Sequence, residues 1–129
     1  MMNRLLRQTI ALKVDLLEAY ESVTPIPGAV MLAAGGNTLV RLKIENLTPD
    51  SLEVEITTIE IVPVDGDKPL MVEQSQRVKL GGLQILEEGF RLSNTEGFGD
   101  FSLVRAIVTC QTSGQSFVAE SQPREVKRF

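Results

Sequence analysis

Two pairs of carboxylates have residue types and spacing that could do chemistry. Asp65 and Asp67, separated by a glycine, could hold a calcium ion, but their loop is far shorter than the twelve-residue loop of an EF-hand. Glu87 and Glu88 could serve as the acid and base of glycoside hydrolysis. Neighbours on a strand, however, point to opposite faces and cannot flank one bond. We therefore interpret the first pair as a hairpin turn and the second as a solvated turn.

The single cysteine, Cys110, ends an apolar run and has no histidine to activate it, because the chain contains none. A thiolate nucleophile would need a nearby arginine or lysine to lower its pKa, so a small core residue is the better interpretation. The absence of histidine also removes the usual general base at neutral pH and the commonest zinc ligand. We predict a protein that is not an enzyme and that uses neither a metal nor another cofactor.

Composition disfavours two further classes of partner. Seventeen acidic and thirteen basic residues give a net charge of -4, without the basic stripe that binds nucleic-acid phosphates. The longest apolar run, residues 29–34, is far shorter than the ~20 residues of a membrane-spanning helix. The N-terminal pattern does not predict an export signal, and one cysteine permits no internal disulfide. These features predict a cytoplasmic protein that binds neither nucleic acid nor membranes.

The elements that must position any site are predicted to be β-strands, most clearly in residues 38–56. Apolar and polar residues alternate there with period two on both sides of a turn at residues 46–51. The alternation predicts six inward-facing side chains: Val40, Leu42, Ile44, Leu52, Val54 and Ile56. In a direct hairpin the outward side chains would form two ion pairs, Lys43 with Glu53 and Arg41 with Glu55. Whether the two strands pair directly in this way stays open.

The rest of the chain is divided by turn signals into further short strands. Residues 9–20 fit both a strand and a helix, and we favour a strand with its exit at residues 18–21, because the β pattern needs a first strand. Prolines predict a rigid turn at residues 24–28, and residues 29–34 read as a short strand that ends at Gly35-Gly36. The apolar phase slips by one residue across Thr57-Thr58, which predicts a β-bulge. Other strands are predicted at residues 69–72, 76–80, 84–86 with 90–92, 100–110 and 115–119, with turns at 64–68 and 111–114.

Seven or eight such strands predict an all-β fold, a two-sheet antiparallel β-sandwich, with which a short helix at residues 2–8 is compatible. We assign residues 1–119 to a single β-sandwich domain and residues 120–129 to a polar C-terminal tail. A frayed terminus is the default for the tail, which has no obvious core role. Its basic and aromatic residues could alternatively bind an acidic partner surface or another subunit. The candidate interaction residues are Arg124, Lys127, Arg128 and Phe129.

Four motifs follow one another along the chain: Leu42-x-Ile44-x-Asn46, Leu52-x-Val54-x-Ile56, Leu86-Glu87-Glu88-Gly89 and Gly99-x-Phe101-x-Leu103-Val104-x-Ala106. This order resembles immunoglobulin-like and fibronectin-type-III-like bacterial domains. It is also similar to the β-sandwich modules that accompany caspase-like proteins in cyanobacteria, and to the intracellular proteinase-inhibitor sandwiches of bacilli. The resemblance implies an immunoglobulin-like sandwich, in which the strands on either side of residues 46–51 would lie in opposite sheets and the two ion pairs would not form. It gives no residue with a functional role.

A sandwich pattern without a catalytic set predicts a non-enzymatic protein-interaction or structural module, as an oligomer or as a subunit of a larger assembly. Its partner would be another protein or a second copy of the chain. The alternative is a proteinase inhibitor that presents an exposed loop, at residues 64–68 or 93–99. A small hydrolase that uses carboxylates alone is the third hypothesis. Asn46-Leu47-Thr48 matches the N-glycosylation sequon, and we interpret it as a turn.

Overall fold

The computed structural model describes residues 8–25 and 32–129, and within these ranges every regular element is a β-strand. The all-β prediction is therefore confirmed, while the helix expected at residues 2–8 lies almost wholly outside the described residues. No helix in the described ranges is long and apolar enough to cross a membrane. The strands are β1, Ile10–Pro25; β2, Leu32–Asn46; β3, Leu52–Pro63; β4, Met71–Leu80; β5, Ile85–Asn94; β6, Leu103–Thr112; β7, Gln115–Glu120; β8, Arg124–Glu125; and β9, Lys127–Arg128.

These strands form two sheets that enclose one core. The first sheet has the order β5-β2-β1-β9, and the second has the order β4-β3-β6-β7, with β8 paired to the start of β6. All pairs are antiparallel except β1 with β9, which is parallel. The predicted two-sheet β-sandwich is thus confirmed, with one short parallel strand added at an edge.

The strands on either side of the turn at residues 46–51 lie in opposite sheets, so the direct hairpin between them is wrong. The two ion pairs that it required do not form. Arg41 instead contacts Asp15, across β1 and β2, with 3.0 Å between Nη2 and Oδ2. Arg77 of β4 lies 3.7 Å from Glu53 and 3.6 Å from Glu55. The inward-facing prediction is confirmed, because five of its six side chains are buried and Leu52 packs half-buried against them.

The core is filled by side chains from both sheets, and the sequence alternates because only one face of each strand touches it. Cys110 is fully buried there, which confirms its interpretation as a core residue. Fully burying a side chain the size of valine or phenylalanine contributes ~1.5–3 kcal/mol, so this face dominates the stability of the fold. The largest fully buried apolar side chains are Phe98, Ile10, Leu42, Ile44, Ile59, Ile61, Leu80, Val40, Val54, Val104 and Val108.

Two irregularities bend the long strands. The strand expected over residues 9–20 is confirmed, but it has a bulge between Leu16 and Glu18 and continues to Pro25, so the exit predicted at residues 18–21 is wrong. The bulge predicted at Thr57-Thr58 is confirmed, because the register of β3 against β6 shifts by one residue there. The turn predicted at residues 24–28 lies mostly outside the described residues.

Gly35 and Gly36 lie inside β2, so the prediction that a strand ends there is wrong. The reason is close packing. A Cβ on Gly36 would lie 2.7 Å from Oδ1 of Asn94 and 2.8 Å from Cε of Met71. Gly36 therefore lets β5 and β4 approach the backbone of β2. Glycine serves close packing within the strand here and does not mark its end.

Two regions predicted as separate short strands are each one edge strand, β4 and β5. Glu73, Gln76 and Glu88 occupy register positions opposite core residues of the neighbouring strand, yet they are exposed. Inward-pointing polar residues are tolerated at an edge and discourage pairing with another chain. The turn predicted at Glu87-Glu88 is therefore wrong, although both carboxylates are solvent-exposed as expected.

Asn46, which is buried, and Asn94, which is half-buried, fasten the loops at opposite ends of the sandwich. The Nδ2 of Asn46 donates to the carbonyls of Asp50 and Gly81, and its Oδ1 accepts from the amide and the hydroxyl of Thr48. At the other end, Nδ2 of Asn94 donates to the carbonyls of Leu70 and Gly97. Its Oδ1 accepts from the amides of Gly36 and Gly97. Asn46 is 1% exposed, so its sequon is a structural turn, as interpreted.

Candidate interaction surfaces

The tail at residues 120–129 is docked on the sandwich, so the frayed terminus taken as the default is wrong. β8 pairs with Leu103 and Val104 of β6, and β9 pairs with Tyr20 and Glu21 of β1. Val126, between these two strands, is 5% exposed and belongs to the core cluster. A single apolar residue has no periodicity, which is why the sequence pattern did not assign the tail a core role.

Two of the four candidate residues bind within the protein itself. Nε of Arg124 donates to the carbonyl of Leu16 at 2.6 Å, where the bulge of β1 interrupts its pairing. Nη2 of Arg128 donates to the carbonyls of Gly99 and Phe101, each at 2.9 Å. Both guanidinium groups therefore fasten the tail and are not free to meet a partner through these atoms.

The other two candidates, Lys127 and Phe129, are exposed and line a groove against β1. Phe129 is 79% exposed, although its amide donates to the carbonyl of Glu21. Its ring packs edge-on against that of Tyr20, with 6.1 Å between the ring centroids. The groove has a volume of about 300 Å³. We call it the tail groove, and its lining residues are Leu17, Glu18, Ala19, Tyr20, Arg124, Glu125, Lys127 and Phe129.

A second depression of about 360 Å³ continues the tail groove along β1 to Asp15 and shares Leu17, Arg124 and Glu125 with it. Within the combined groove, Asp15 pairs with Arg41 and Glu18 pairs with Arg91. Glu125 and Lys127 make no ion pair with the described residues. The groove therefore offers Glu125 as an acidic group, Lys127 and the remaining N–H groups of Arg124 as basic groups, and an exposed aromatic ring.

A second exposed apolar surface lies at the end of the sandwich where β2 ends and β5 begins. It consists of Leu47, Leu83 and Ile85, which are 41%, 66% and 51% exposed, and we call it the end patch. Leu83 has a φ of 58°, in the left-handed region, and its amide donates to the carbonyl of Thr48. Sequence reasoning missed this surface, because isolated apolar residues in loops follow no period.

The residues first considered for chemistry are not brought together. Burial raises the pKa of the Cys110 thiol to about 11, as expected for a core cysteine. Asp65 and Asp67 are exposed in the connection between β3 and β4, and Glu87 and Glu88 are exposed on β5. In the part of the chain that the structure describes, no group of three or more cysteine, aspartate or glutamate side chains could hold a metal ion.

Comparison with known proteins gives a fold and no family. No protein-family model matches the chain, and no curated protein is similar to it. The Northeast Structural Genomics Consortium target SoR45 is similar in structure, with a TM-score of 0.53 and 14% identity over 96% of this chain and 90% of that one. The GH20 exo-β-N-acetylglucosaminidase from Vibrio harveyi matches 92% of this chain but only 18% of its own length. Its TM-score is 0.27 at 15% identity, too low to support any argument. The chain therefore shares a two-sheet all-β sandwich with SoR45.

Proposed function

We propose that this protein is a non-enzymatic recognition module with an immunoglobulin-like sandwich, and that it binds an extended segment of a partner protein in the tail groove. The strand distribution supports the immunoglobulin-like part. β1, β2 and β5 share one sheet and β3, β4, β6 and β7 share the other, as strands A, B, E and C, C′, F, G do in such sandwiches. The chain departs from antibody domains in having no tryptophan and one cysteine, so it lacks their buried tryptophan and inter-sheet disulfide.

The observation that carries the recognition part is the exposed ring of Phe129 on an ordered tail. Two short ladders, two arginines and buried Val126 fix the backbone around it, while 79% of the side chain stays in water. Large aromatic side chains on a rigid support are typical anchors of protein interfaces, because little conformational entropy is lost when they are covered. Tyr20 beside it widens the apolar surface.

The groove chemistry indicates what the partner segment carries. An apolar side chain would fit against the rings of Tyr20 and Phe129, an acidic one would face Lys127, and a basic one would face Glu125. From Asp15 to Tyr20 the groove follows five residue steps of β1, or ~16 Å at the rise of a strand, which accommodates four or five extended residues. We propose a cytoplasmic location for the same module.

Panning a random peptide library on the wild-type protein tests the proposal. We expect enriched sequences with an apolar residue flanked by opposite charges, and the synthetic peptide should bind at least tenfold more weakly to Phe129→Ala, as measured by calorimetry. Lys127→Glu should weaken the same peptide through its acidic residue. Val72→Ala is the matched control, because Val72 is 47% exposed on β4, away from the groove. No enrichment, or equal binding to wild type and Phe129→Ala, would contradict the proposal.

Point substitutions are preferable to deletion of residues 120–129, because deletion also removes Val126 from the core. The alternative, a proteinase inhibitor, receives less support. The loop at residues 93–99 is tied down by the four hydrogen bonds of Asn94, and its Phe98 is fully buried. For the loop at residues 64–68, exposure is the sole feature in favour. We therefore retain the recognition module alone.

A further inference from the structure

Arg124 lies where the two parts of the combined groove meet, because it lines both the tail groove and the depression that continues it to Asp15. Its backbone is fixed, since it lies opposite Val104 in the ladder of β8 with β6, two residues before the buried Val126. Its side chain is held as well, because Nε donates to the carbonyl of Leu16 at 2.6 Å. Arg124 is therefore a positioned side chain in a concave surface.

Most of the guanidinium group of Arg124 is unused. An arginine side chain has five N–H donors, and the bond to the carbonyl of Leu16 takes one of them. The two terminal nitrogens, Nη1 and Nη2, make no hydrogen bond with the described residues, and neither is buried. Arg124 also makes no ion pair within the described part of the chain. Its terminal N–H groups and its positive charge are thus open to a ligand.

The charges around Arg124 favour an anionic ligand, although the whole protein has a net charge of -4. The acidic residues that β1 contributes are both neutralised by arginines of the same sheet, in the pairs Asp15–Arg41 and Glu18–Arg91. The groove residues that remain without an ion pair among the described residues are two cations and one anion: Arg124, Lys127 and Glu125. The groove therefore has an excess of positive charge on an acidic protein.

The shape of the guanidinium group selects among anions. Its planar fork matches the two oxygens of a carboxylate, with which it forms two parallel hydrogen bonds. Lys127 has a compact charge without such a fork, so Arg124 is the more selective of the two cations. A phosphate would also match the fork, but Glu125 lines the same groove and would repel its second negative charge. A carboxylate is therefore the group that Arg124 recognises best.

The position of Arg124 within the groove indicates where that carboxylate comes from. The groove extends from Arg124 towards Asp15 in one direction and towards Phe129 in the other. A segment that fills both parts has to pass Arg124 and continue beyond it. A C-terminal carboxylate bound to Arg124 would leave one part of the groove empty, so an acidic side chain within the segment fits better.

The aromatic end of the groove is too far from Arg124 for one residue of a partner to reach both. From Leu16, which binds Arg124, to Tyr20 the strand advances four residue steps, one of them in the bulge, or ~10 Å. An extended chain covers this distance in about three residues. The guanidinium group and the aromatic rings are therefore met by different residues of the segment.

We propose that the partner segment has an acidic residue whose carboxylate binds the terminal nitrogens of Arg124, and an apolar residue that packs on Tyr20 and Phe129. This inference rests on the proposed function, because it names the partner chemistry of the same groove. It assigns to Arg124 the choice between acidic and neutral segments, which the exposed ring of Phe129 cannot make.

A double-mutant cycle between protein and peptide tests the contact. The probes are the tightest peptide from the library panning, with both ends blocked, and the same peptide with its acidic residue replaced by the corresponding amide. On the wild type we expect the acidic peptide to bind about tenfold more tightly than the amide peptide, as measured by calorimetry. On Arg124→Gln the two peptides should bind within about twofold of each other. On Lys127→Ala the preference for the acidic peptide should persist.

Arg128→Gln is the matched control, because Arg128 also fastens the tail, through the carbonyls of Gly99 and Phe101, but does not line the groove. It should keep the tenfold preference, whatever happens to the affinity for both peptides. Arg124→Lys keeps the charge without the fork and should show a preference between those of the wild type and Arg124→Gln. Thermal unfolding shows that each variant is folded, and Arg124→Lys decides if Arg124→Gln binds neither peptide.

The outcomes separate this inference from the proposed function. An undiminished preference on the Arg124 variants, a preference lost on Lys127→Ala instead, or binding that requires a free C-terminus would overturn the inference and leave peptide binding in the groove intact. Enrichment of peptides without an acidic residue would do the same. A library that yields no peptide at all would contradict the proposed function and this inference with it.

Discussion

Replacement of Asn46 by alanine should be among the most damaging single changes to this protein, although the side chain is polar and sits next to a loop. Its amide group makes four hydrogen bonds of 2.7–3.0 Å, which connect the end of β2 to the β2-β3 loop and to Gly81 after β4. Asn46→Ala leaves the carbonyls of Asp50 and Gly81 and the amide of Thr48 without these partners. The loops at one end of the sandwich then lose their common attachment.

The expected loss of stability follows from counting the four hydrogen bonds of Asn46. Each contributes ~0.5–1.5 kcal/mol net, so four would give up to ~6 kcal/mol. Asp50 and Gly81 are exposed, however, so water can form some of the hydrogen bonds that their carbonyls lose. We therefore expect the free energy of unfolding to fall by about 2–4 kcal/mol, a large part of the ~5–15 kcal/mol that ordinary domains possess. For a chain of this size the Tm should fall by about 8–15 °C.

Equilibrium unfolding in urea, followed by circular dichroism, measures this loss, and Asn37→Ala is the matched control. Asn37 lies half-buried on the same strand, and its replacement should cost less than about 1 kcal/mol. A loss for Asn46→Ala no greater than that of the control would refute the reasoning, because the four bonds would then contribute nothing to stability.

A second substitution at the same site, Asn46→Asp, should make the free energy of unfolding depend on pH. In Asn46→Asp the carboxylate can still accept from Thr48, but it faces the carbonyl oxygens of Asp50 and Gly81 without a proton to donate. Burial and these oxygens raise the pKa of the new carboxyl in the folded state. The variant should therefore be closest to wild type below about pH 4 and should lose stability as the pH rises through the raised pKa. A stability difference independent of pH would contradict this account.

Three further outcomes are expected from substitutions elsewhere in the fold. Gly36→Ala should cost about 1–3 kcal/mol in urea unfolding, because its Cβ would lie 2.7 Å from Asn94 Oδ1, whereas Gly35→Ala, with 3.4 Å to the nearest atom, should be neutral. Burial raises the pKa of Cys110 from 9.0 to about 11, so the folded state keeps a proton that the unfolded state loses. The free energy of unfolding should thus fall between about pH 9 and 11, and it should fall less in Cys110→Ala, measured by urea titrations at each pH. Val126→Ala should cost about 2 kcal/mol and speed proteolysis of the tail, while Val118→Ala, at a side chain 63% exposed, should do neither.

The sandwich core could be predicted because burial acts on local patterns. Val40, Leu42 and Ile44 alternate with polar residues since a strand has period two and one face of β2 meets the core. The bulge at Thr57-Thr58 was visible for the same reason, as a slip in that period. These features depend on neighbouring residues alone, so they can be predicted without knowing how the rest of the chain folds.

The errors concern contacts between distant parts of the chain. Gly36 lies within a strand because Asn94, 58 positions later, leaves no space for a side chain there and accepts a hydrogen bond from the amide of Gly36. β2 and β3 lie in different sheets because β2 pairs with β1 and β5, whereas β3 pairs with β4 and β6, and β5 and β6 are distant from them in sequence. Turn residues mark where a chain can reverse, but pairing energy between remote strands decides which strands meet.

The exceptions to local rules fall into two groups, and this division bears on function. Asn46, buried and polar, and Gly36, inside a strand, break rules of composition, but each has its explanation within the chain, in hydrogen bonds or close packing. Leu83 and Phe129 are apolar and exposed, and they are held in place by their backbone amides and, for Phe129, by the edge-on contact with Tyr20. The proposed peptide binding would give the exposed ring of Phe129 a use, because large exposed apolar side chains are typical of interaction sites. Phe129 adjoins a groove that contains Glu125 and Lys127, and these charges are the basis for proposing a peptide as its partner.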